Sequence, residues 1–113
     1  MNNLTKSNSI TPAEVTRLAQ PVFRKYAIRK VLLFGSIATG RVGRRSDIDL
    51  ILIQETDKPY FERFDGILRD LYQVLPRRDL DVFIYTPEEM ERIAHRNFIK
   101  RAIHEGQIIY ESG

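Results

Sequence analysis

A short, wholly apolar run that stops at a Gly-Ser pair is the feature of this sequence that most limits its fold. Val31 to Phe34 carries no polar side chain, and Gly35 and Ser36 follow at once. A run of this kind is typical of a strand buried inside a sheet. The sequence therefore predicts a buried strand that leads into a loop over residues 35–46, with room there for one short helical turn.

The remaining patterns alternate between helix and strand. Thr11-Pro12-Ala13-Glu14 and Thr86-Pro87-Glu88-Glu89 have the composition of helix starts, with a capping threonine, a proline in the first turn and a glutamate three residues after the cap. Residues 59–75 show helical spacing, and the helix that begins near 87 is expected to break near Asn97. Strands are predicted at 47–54, 80–85 and 108–110. This order predicts an α/β (α+β) fold, a mixed central sheet with helices mainly on one face.

Length and composition fit one globular domain. The chain has 113 residues, of which 42% are hydrophobic and 29% charged, and these are ordinary globular values. We expect residues 1–10 to be a flexible N-terminus and residues 11–113 to form a single domain. Because cysteine is absent, disulfide scaffolds, cysteine-ligated metals and a cysteine nucleophile are excluded.

The charge balance and the polar N-terminus suggest a cytoplasmic protein. The net charge is +3, which is too weak to argue for nucleic acid as a direct substrate. The first residues have no apolar core of signal-peptide length, and no apolar run approaches the ~18 residues of a membrane span. We therefore expect a soluble protein without a membrane partner.

The Gly-Ser pair has the chemistry of a phosphate site. Gly35 lacks a Cβ, so its backbone can approach a bulky anion closely. Ser36 offers a hydroxyl and a backbone N–H to phosphate oxygens. A serine after glycine is also common in ordinary turns, so the pair indicates a phosphate site only in combination with acidic residues later in the chain.

Two aspartates at the start of the next strand point to a divalent cation. Asp47 and Asp49 are two residues apart, so on a strand both carboxylates project from the same face. Two carboxylates held so close repel each other, and a cation between them would remove the repulsion. Oxygen ligands favour Mg²⁺ or Mn²⁺. The simpler alternative is a solvent-exposed turn with no metal.

A third carboxylate is needed to hold a second metal ion, and Asp81 is the candidate. It lies between Leu80 and Val82 in an apolar strand, where an unpaired charge is costly. Asp79 has the same parity on that strand and is the alternative, although its position beside Arg77 and Arg78 favours the exposed strand end. Two metal ions held this way suit an in-line displacement at phosphorus.

The combination of Gly35-Ser36, Asp47-x-Asp49 and Asp81 resembles the nucleotidyltransferase superfamily related to DNA polymerase beta. Within it, the chain resembles the minimal nucleotidyltransferase group of short proteins, which often act as antitoxins paired with HEPN toxins. The resemblance covers nearly the whole chain, from the first helix to the terminal Glu105-Gly106-Gln107-Ile108-Ile109-Tyr110.

The resemblance implies a Mg²⁺-dependent enzyme with two ions held by Asp47, Asp49 and Asp81, the last also assisting deprotonation of the acceptor. Gly35 and Ser36 would bind the phosphates of an NTP, with ATP expected. The reaction it implies is AMPylation, the transfer of AMP to a tyrosine of a HEPN ribonuclease toxin. One departure is that Thr39 stands where the family's loop often has arginine, so Arg41 is expected to take over that phosphate contact.

Two other functions fit the same residues. The chain could inhibit a partner toxin by occlusion without chemistry, or it could transfer a nucleotide to a small molecule. Covalent labelling of the partner separates these alternatives from protein AMPylation.

Overall fold

The computed structural model describes residues 10–40, 47–75 and 79–112. The predictions for residues 1–9 and for Arg41, Arg77 and Arg78 lie outside these ranges. Within them, no helix combines the length and the hydropathy needed to cross a membrane. Ile10, which the sequence assigned to the N-terminal segment, is only 2% exposed and belongs to the main core.

Four strands alternate with five α-helices and one 3₁₀ helix in the described residues. In chain order the elements are α1 (Pro12–Lys25), β1 (Lys30–Phe34), α2 (Ser36–Thr39), β2 (Ile48–Ile53), the 3₁₀ helix (Tyr60–Phe64), α3 (Ile67–Val74), β3 (Leu80–Tyr85), α4 (Pro87–Ile93), α5 (Asn97–Glu105) and β4 (Gln107–Glu111). The predicted α/β class is confirmed, and α2 is the short helical turn expected after Gly35.

The strands form one mixed sheet in the order β3-β2-β1-β4. β1 is antiparallel to both β2 and β4, whereas β2 and β3 are parallel. The register pairs Phe34 with Asp49 and Asp49 with Asp81. The C-terminal end of β1 therefore lies beside the N-terminal ends of β2 and β3, at one edge of the sheet.

Both predicted capping boxes are present. The backbone N–H of Glu14 donates to the Thr11 hydroxyl at 3.2 Å, and that of Glu89 donates to the Thr86 hydroxyl at 3.1 Å. In each case the glutamate carboxylate accepts the threonine N–H in return. These bonds satisfy N–H groups that have no partner inside the helix, so they fix where α1 and α4 begin.

The sequence was wrong about the continuity of one predicted helix. The segment 59–75 is not one helix, because Gly66 adopts a φ of +78° between the 3₁₀ helix and α3. A Cβ at Gly66 would lie 2.6 Å from the Tyr26 hydroxyl oxygen, so this close approach also requires glycine. The break near Asn97 is present, with α4 ending at Ile93 and α5 beginning at Asn97. Pro21 lies inside α1, which runs from Pro12 to Lys25 as one helix.

The two faces of the sheet carry cores of different size. On one face, α1 and α3 pack over inward side chains such as Leu33 and Leu50 and form the larger core. On the other face, Ile99 and Ala102 of α5 pack over Ile51 with a smaller set of residues. The larger helical layer lies on one face, as predicted, and two short helices cover part of the opposite face.

Candidate active site

Three aspartates meet at the sheet edge where β1 ends. Asp47 directly precedes β2, Asp49 lies within it, and Asp81 lies at the matching position of β3. One carboxylate oxygen from each residue lies within 4.8 Å of those of the other two. The alternation of side chains along a strand directs all three to the face of the smaller core. The structure therefore brings together the three carboxylates that the sequence singled out, and the group does not include Asp79.

Among the residues that the structure describes, the electrostatics of this cluster are unfavourable without a cation. Burial raises the pKa of Asp49 to about 6, and a hydrogen bond with Asp81 and the negative charges of Asp81 and Asp47 act in the same direction. Carboxylates this close compete for one proton when no cation is present. The cluster therefore favours a positive charge among its oxygens.

The carboxylates fit a divalent cation by their donor chemistry. All three side chains offer oxygen, and Asp47 and Asp49 are half-buried while Asp81 is exposed to solvent. Hard, oxygen-only ligands with an open side suit Mg²⁺ or Mn²⁺, which keep water or substrate oxygens in their coordination shell. The same donor set would be a poor choice for a metal that prefers sulfur or imidazole.

The backbone of Gly35 lies in close contact with the Asp49 carboxylate of this cluster. Its φ is +80°, a backbone conformation that favours glycine. A Cβ at this position would lie 2.0 Å from the Asp49 Oδ2 atom. Glycine is therefore required for two separate reasons, and the second is the placement of a carboxylate that belongs to the cluster.

Ser36 begins α2 immediately after this turn. Thr39 closes the helix, and its hydroxyl donates to the Ser36 carbonyl at 3.2 Å. Gly35, Ser36 and Thr39 form one wall of a cleft of about 370 Å³. The two residues predicted to bind phosphates thus line an open cleft beside the three carboxylates, whereas Arg41 lies outside the described residues.

The opposite wall of the cleft was missed by the sequence analysis. It is built by α5, which contributes Phe98, Arg101, Ala102 and Glu105. No local motif marks Phe98, Arg101 or Ala102, and Glu105 was singled out only as the first residue of the terminal segment that resembles the family. They reach the site because α5 leads directly into β4, and β4 pairs with β1. Such long-range pairing cannot be predicted from spacing within one segment.

The family model for the polymerase beta nucleotidyltransferase domain matches residues 19–113. The chain belongs to the polymerase beta nucleotidyltransferase family. It is therefore a nucleotidyltransferase, and the resemblance seen in Gly35-Ser36, Asp47-x-Asp49 and Asp81 is confirmed at the level of the family.

Individual relatives agree with this assignment. A protein of Methanocaldococcus jannaschii named "putative protein adenylyltransferase" is 28% identical over 97 residues, which cover 84% of this chain and 90% of that protein. Among solved structures, a chain from a crystal structure of a toxin-antitoxin with AMP-PNP gives a TM-score of 0.65 at 19% identity and covers 86% of this chain and 73% of its own. A "putative nucleotidyltransferase" from Sulfolobus solfataricus gives 0.57 at 19% identity, with 88% and 83% covered. These two structures share the fold of the nucleotidyltransferase domain.

Proposed function

We propose that this nucleotidyltransferase transfers AMP from ATP to a protein hydroxyl in a Mg²⁺-dependent reaction, and that the acceptor is a tyrosine of a HEPN ribonuclease toxin. The observation that carries the proposal is the convergence of Asp47, Asp49 and Asp81 within 4.8 Å beside Gly35 and Ser36. A cluster of negative charge next to a phosphate-binding turn is what transfer from a metal–triphosphate requires.

The reaction is a displacement at the α-phosphorus of ATP. The acceptor hydroxyl oxygen forms a bond to that phosphorus, the bond to the oxygen bridging the α- and β-phosphates breaks, and pyrophosphate leaves. The proton of the hydroxyl must be removed, and Asp81 is the exposed carboxylate of the cluster. We assign proton removal to Asp81 because an incoming acceptor reaches it from solvent.

The other residues hold the substrate and the ions. Asp47, Asp49 and Asp81 would hold two divalent ions, and Gly35 and Ser36 would contact the phosphate tail. Bound Mg²⁺ would neutralise charge on the phosphates and lower the pKa of the attacking hydroxyl. The domain that carries this site spans residues 11–113 in our proposal.

The choice of a protein acceptor is supported by two relatives. The Methanocaldococcus jannaschii relative is named for protein adenylyltransfer, and one structural neighbour is a toxin-antitoxin with AMP-PNP.

Labelled ATP tests the proposal and separates it from its alternatives. The full chain is incubated with Mg²⁺, a HEPN ribonuclease encoded beside it, and ATP labelled at either the α- or the γ-phosphate. We expect covalent label on the ribonuclease from α-labelled ATP only, with release of pyrophosphate. A stable unlabelled complex that silences the ribonuclease would instead establish occlusion, and label on a small molecule would move the acceptor to that class.

Asp79 provides a matched control for the same experiment. Asp49→Asn removes a carboxylate from the cluster, whereas Asp79→Asn removes one that lies outside it, directly before β3. We expect transfer to be lost in the first variant and kept in the second. Equal transfer by both variants would contradict the assignment of the site.

A further inference from the structure

The cleft beside the carboxylates has one wall with an assigned role and one without. Gly35, Ser36 and Thr39 form the first wall, which we assign to phosphates. The second wall belongs to α5, and among the residues that line the cleft in the described part of the chain, Arg101 is the basic one. The phosphate wall therefore faces a guanidinium-bearing helix across a shared space.

The α5 wall is held firmly in position relative to the phosphate wall. The Gln107 side-chain amide donates to the Ala38 carbonyl of α2 at 2.9 Å. At the end of α5, a Cβ on Gly106 would lie 2.4 Å from the Ala102 carbonyl oxygen and 2.7 Å from the Leu33 carbonyl oxygen. The approach to the Leu33 carbonyl places the end of α5 directly against β1.

The side chain of Arg101 contributes little to this packing. It is 78% exposed, and its ion pair is with Glu105 one turn later, at 3.5 Å. Exposed pairs of this kind add at most a few tenths of a kcal/mol to a helix. The apolar contacts of α5 are made by other residues, Ile99 and Ala102, which are buried. Arg101 is therefore available for a ligand.

Phosphate is the ligand that this placement suits. A guanidinium group offers several N–H donors in a planar fork that matches phosphate oxygens, and it keeps its charge at any physiological pH. The tail of a triphosphate carries more charge than the α-phosphate alone, and it has to be held as pyrophosphate leaves. A cation on the wall facing Ser36 can act on that tail.

The geometry points to Arg101 as a binding residue for the β- and γ-phosphates of the nucleotide. This inference rests on the proposed function, because it takes Gly35 and Ser36 as the opposite phosphate contacts. It extends the site to α5, beyond the Gly-Ser pair and the three aspartates, and it assigns selection of a triphosphate over a monophosphate to one side chain.

Binding of ATP and AMP to matched variants tests the inference. Arg101→Gln removes the charge from the cleft, whereas Lys100→Gln removes a charge from the preceding residue, which does not line it. With Mg²⁺ present, calorimetry should show ATP binding weakened about tenfold or more by Arg101→Gln, as expected for lost charge-assisted hydrogen bonds, with AMP binding and the unfolding temperature unchanged. Arg101→Lys should lie between wild type and Arg101→Gln because it keeps the charge without the fork.

The outcomes separate this inference from the proposed function. ATP affinity that is unchanged in Arg101→Gln, or that falls equally in Lys100→Gln, overturns the role of Arg101 while leaving the enzyme intact. Equal weakening of ATP and AMP overturns the assignment to the β- and γ-phosphates. Failure of the wild-type chain to bind ATP with Mg²⁺ would instead remove the proposed function itself.

Discussion

Two acidic regions of this molecule handle negative charge in opposite ways. At the edge of the sheet, Asp47, Asp49 and Asp81 converge on one another. At the start of α4, Glu89 meets Arg63 of the 3₁₀ helix in a two-pronged ion pair at 2.6 and 3.0 Å. One region gathers like charges, and the other pairs opposite ones.

The Arg63–Glu89 pair is complete within the chain. The Arg63 side chain is 6% exposed, and it also donates to the carbonyl oxygens of Ile84 and Lys58 at 3.0 Å. The hydrogen bond from Arg63, followed by that from the Thr86 backbone, lowers the pKa of Glu89 to about 2. Its charge is therefore stabilised by the fold itself.

Within residues 10–40, 47–75 and 79–112, the Asp47–Asp49–Asp81 cluster has no such partner, and the pKa of Asp49 rises to about 6. The comparison separates two uses of a carboxylate. A charge that serves the fold has its partner in the chain, whereas a charge kept for chemistry is left to a partner that arrives with the substrate. Removal of one charged group should therefore have different consequences in the two regions: loss of catalysis in the Asp47–Asp49–Asp81 cluster and loss of stability in the Arg63–Glu89 pair.

The largest difference is expected in catalysis. Asp49→Asn should reduce the rate of nucleotide transfer by a factor on the order of 10³ or more, because electrostatic stabilisation of the transition state depends on groups of this kind. Initial rates of label transfer measure the loss. Glu89→Gln, which changes the paired region, should leave the rate nearly intact, and a comparable loss there would end the distinction between the two regions.

The next largest effect should be a loss of stability, and it should follow substitution in the Arg63–Glu89 pair. Arg63→Ala leaves Glu89 without its partner and should lower the free energy of unfolding by roughly 3–5 kcal/mol. Arg29→Ala is the control, since Arg29 and Glu55 form an ion pair in which both side chains are more than half exposed, and its removal should cost about 1 kcal/mol or less. Denaturant titration measures both, and equal losses would contradict the structural role of the buried pair.

A comparison of two glycines shows whether the backbone turn holds the cluster in place. Gly35 and Gly40 have nearly the same φ, +80° and +83°, but a Cβ at Gly40 meets nothing within 4 Å. Gly40→Ala should lose about 1–2 kcal/mol of stability from the left-handed backbone. Gly35→Ala should lose at least as much, because its ψ of −160° places it in a region that is essentially restricted to glycine. Only Gly35→Ala should also lose transfer activity, because its Cβ displaces the Asp49 carboxylate. Full activity in Gly35→Ala would show that the position of this carboxylate is not critical.

The smallest effect is the dependence of stability on pH. The pKa of Asp49 is raised from 3.8 to about 6, so the folded chain holds this proton more tightly than the unfolded chain does. Without metal, stability from this group falls as pH rises between those values, by about 1 kcal/mol after allowance for solvent screening. Glu89 behaves oppositely: its contribution is present above 4.5 and is lost as pH falls towards about 2.

Thermal melts in EDTA measure this pH dependence. Asp49→Asn should become more stable than wild type as pH rises from 4 to 7, and the gain should disappear at pH 4. A variant that is less stable than wild type at pH 7 would show that the Asp49 charge is compensated in the fold.

Local chemistry was predictable from the sequence, and distant pairing was not. The two capping boxes and the shared face of Asp47 and Asp49 depend on residues within four positions of one another, and spacing alone predicts each of them. The break at Gly66 depends on the approach of Tyr26 from the end of another helix. Glycine in a helical pattern allows such a break, but it does not require one.

The cleft also combines residues that local sequence predicts with residues that only distant pairing brings in. Gly35 and Ser36 could be selected as phosphate contacts, since the turn that ends β1 is local. Arg101 lines the same cleft because α5 is followed directly by β4, which pairs with β1. The geometric reason to prefer Asp81 over Asp79 is likewise a long-range one, because the register of β2 and β3 places Asp81 beside Asp49.

Direct measurement of metal binding tests the central claim that these three carboxylates hold divalent ions together. Mn²⁺ can be titrated, by its electron paramagnetic resonance signal, into the wild-type chain and into Asp49→Asn, Asp81→Asn and Asp79→Asn. We predict that the first two variants bind Mn²⁺ at least about tenfold more weakly than wild type, as loss of a charged ligand requires, and that Asp79→Asn binds it normally. Wild-type affinity in Asp49→Asn and Asp81→Asn would contradict the account.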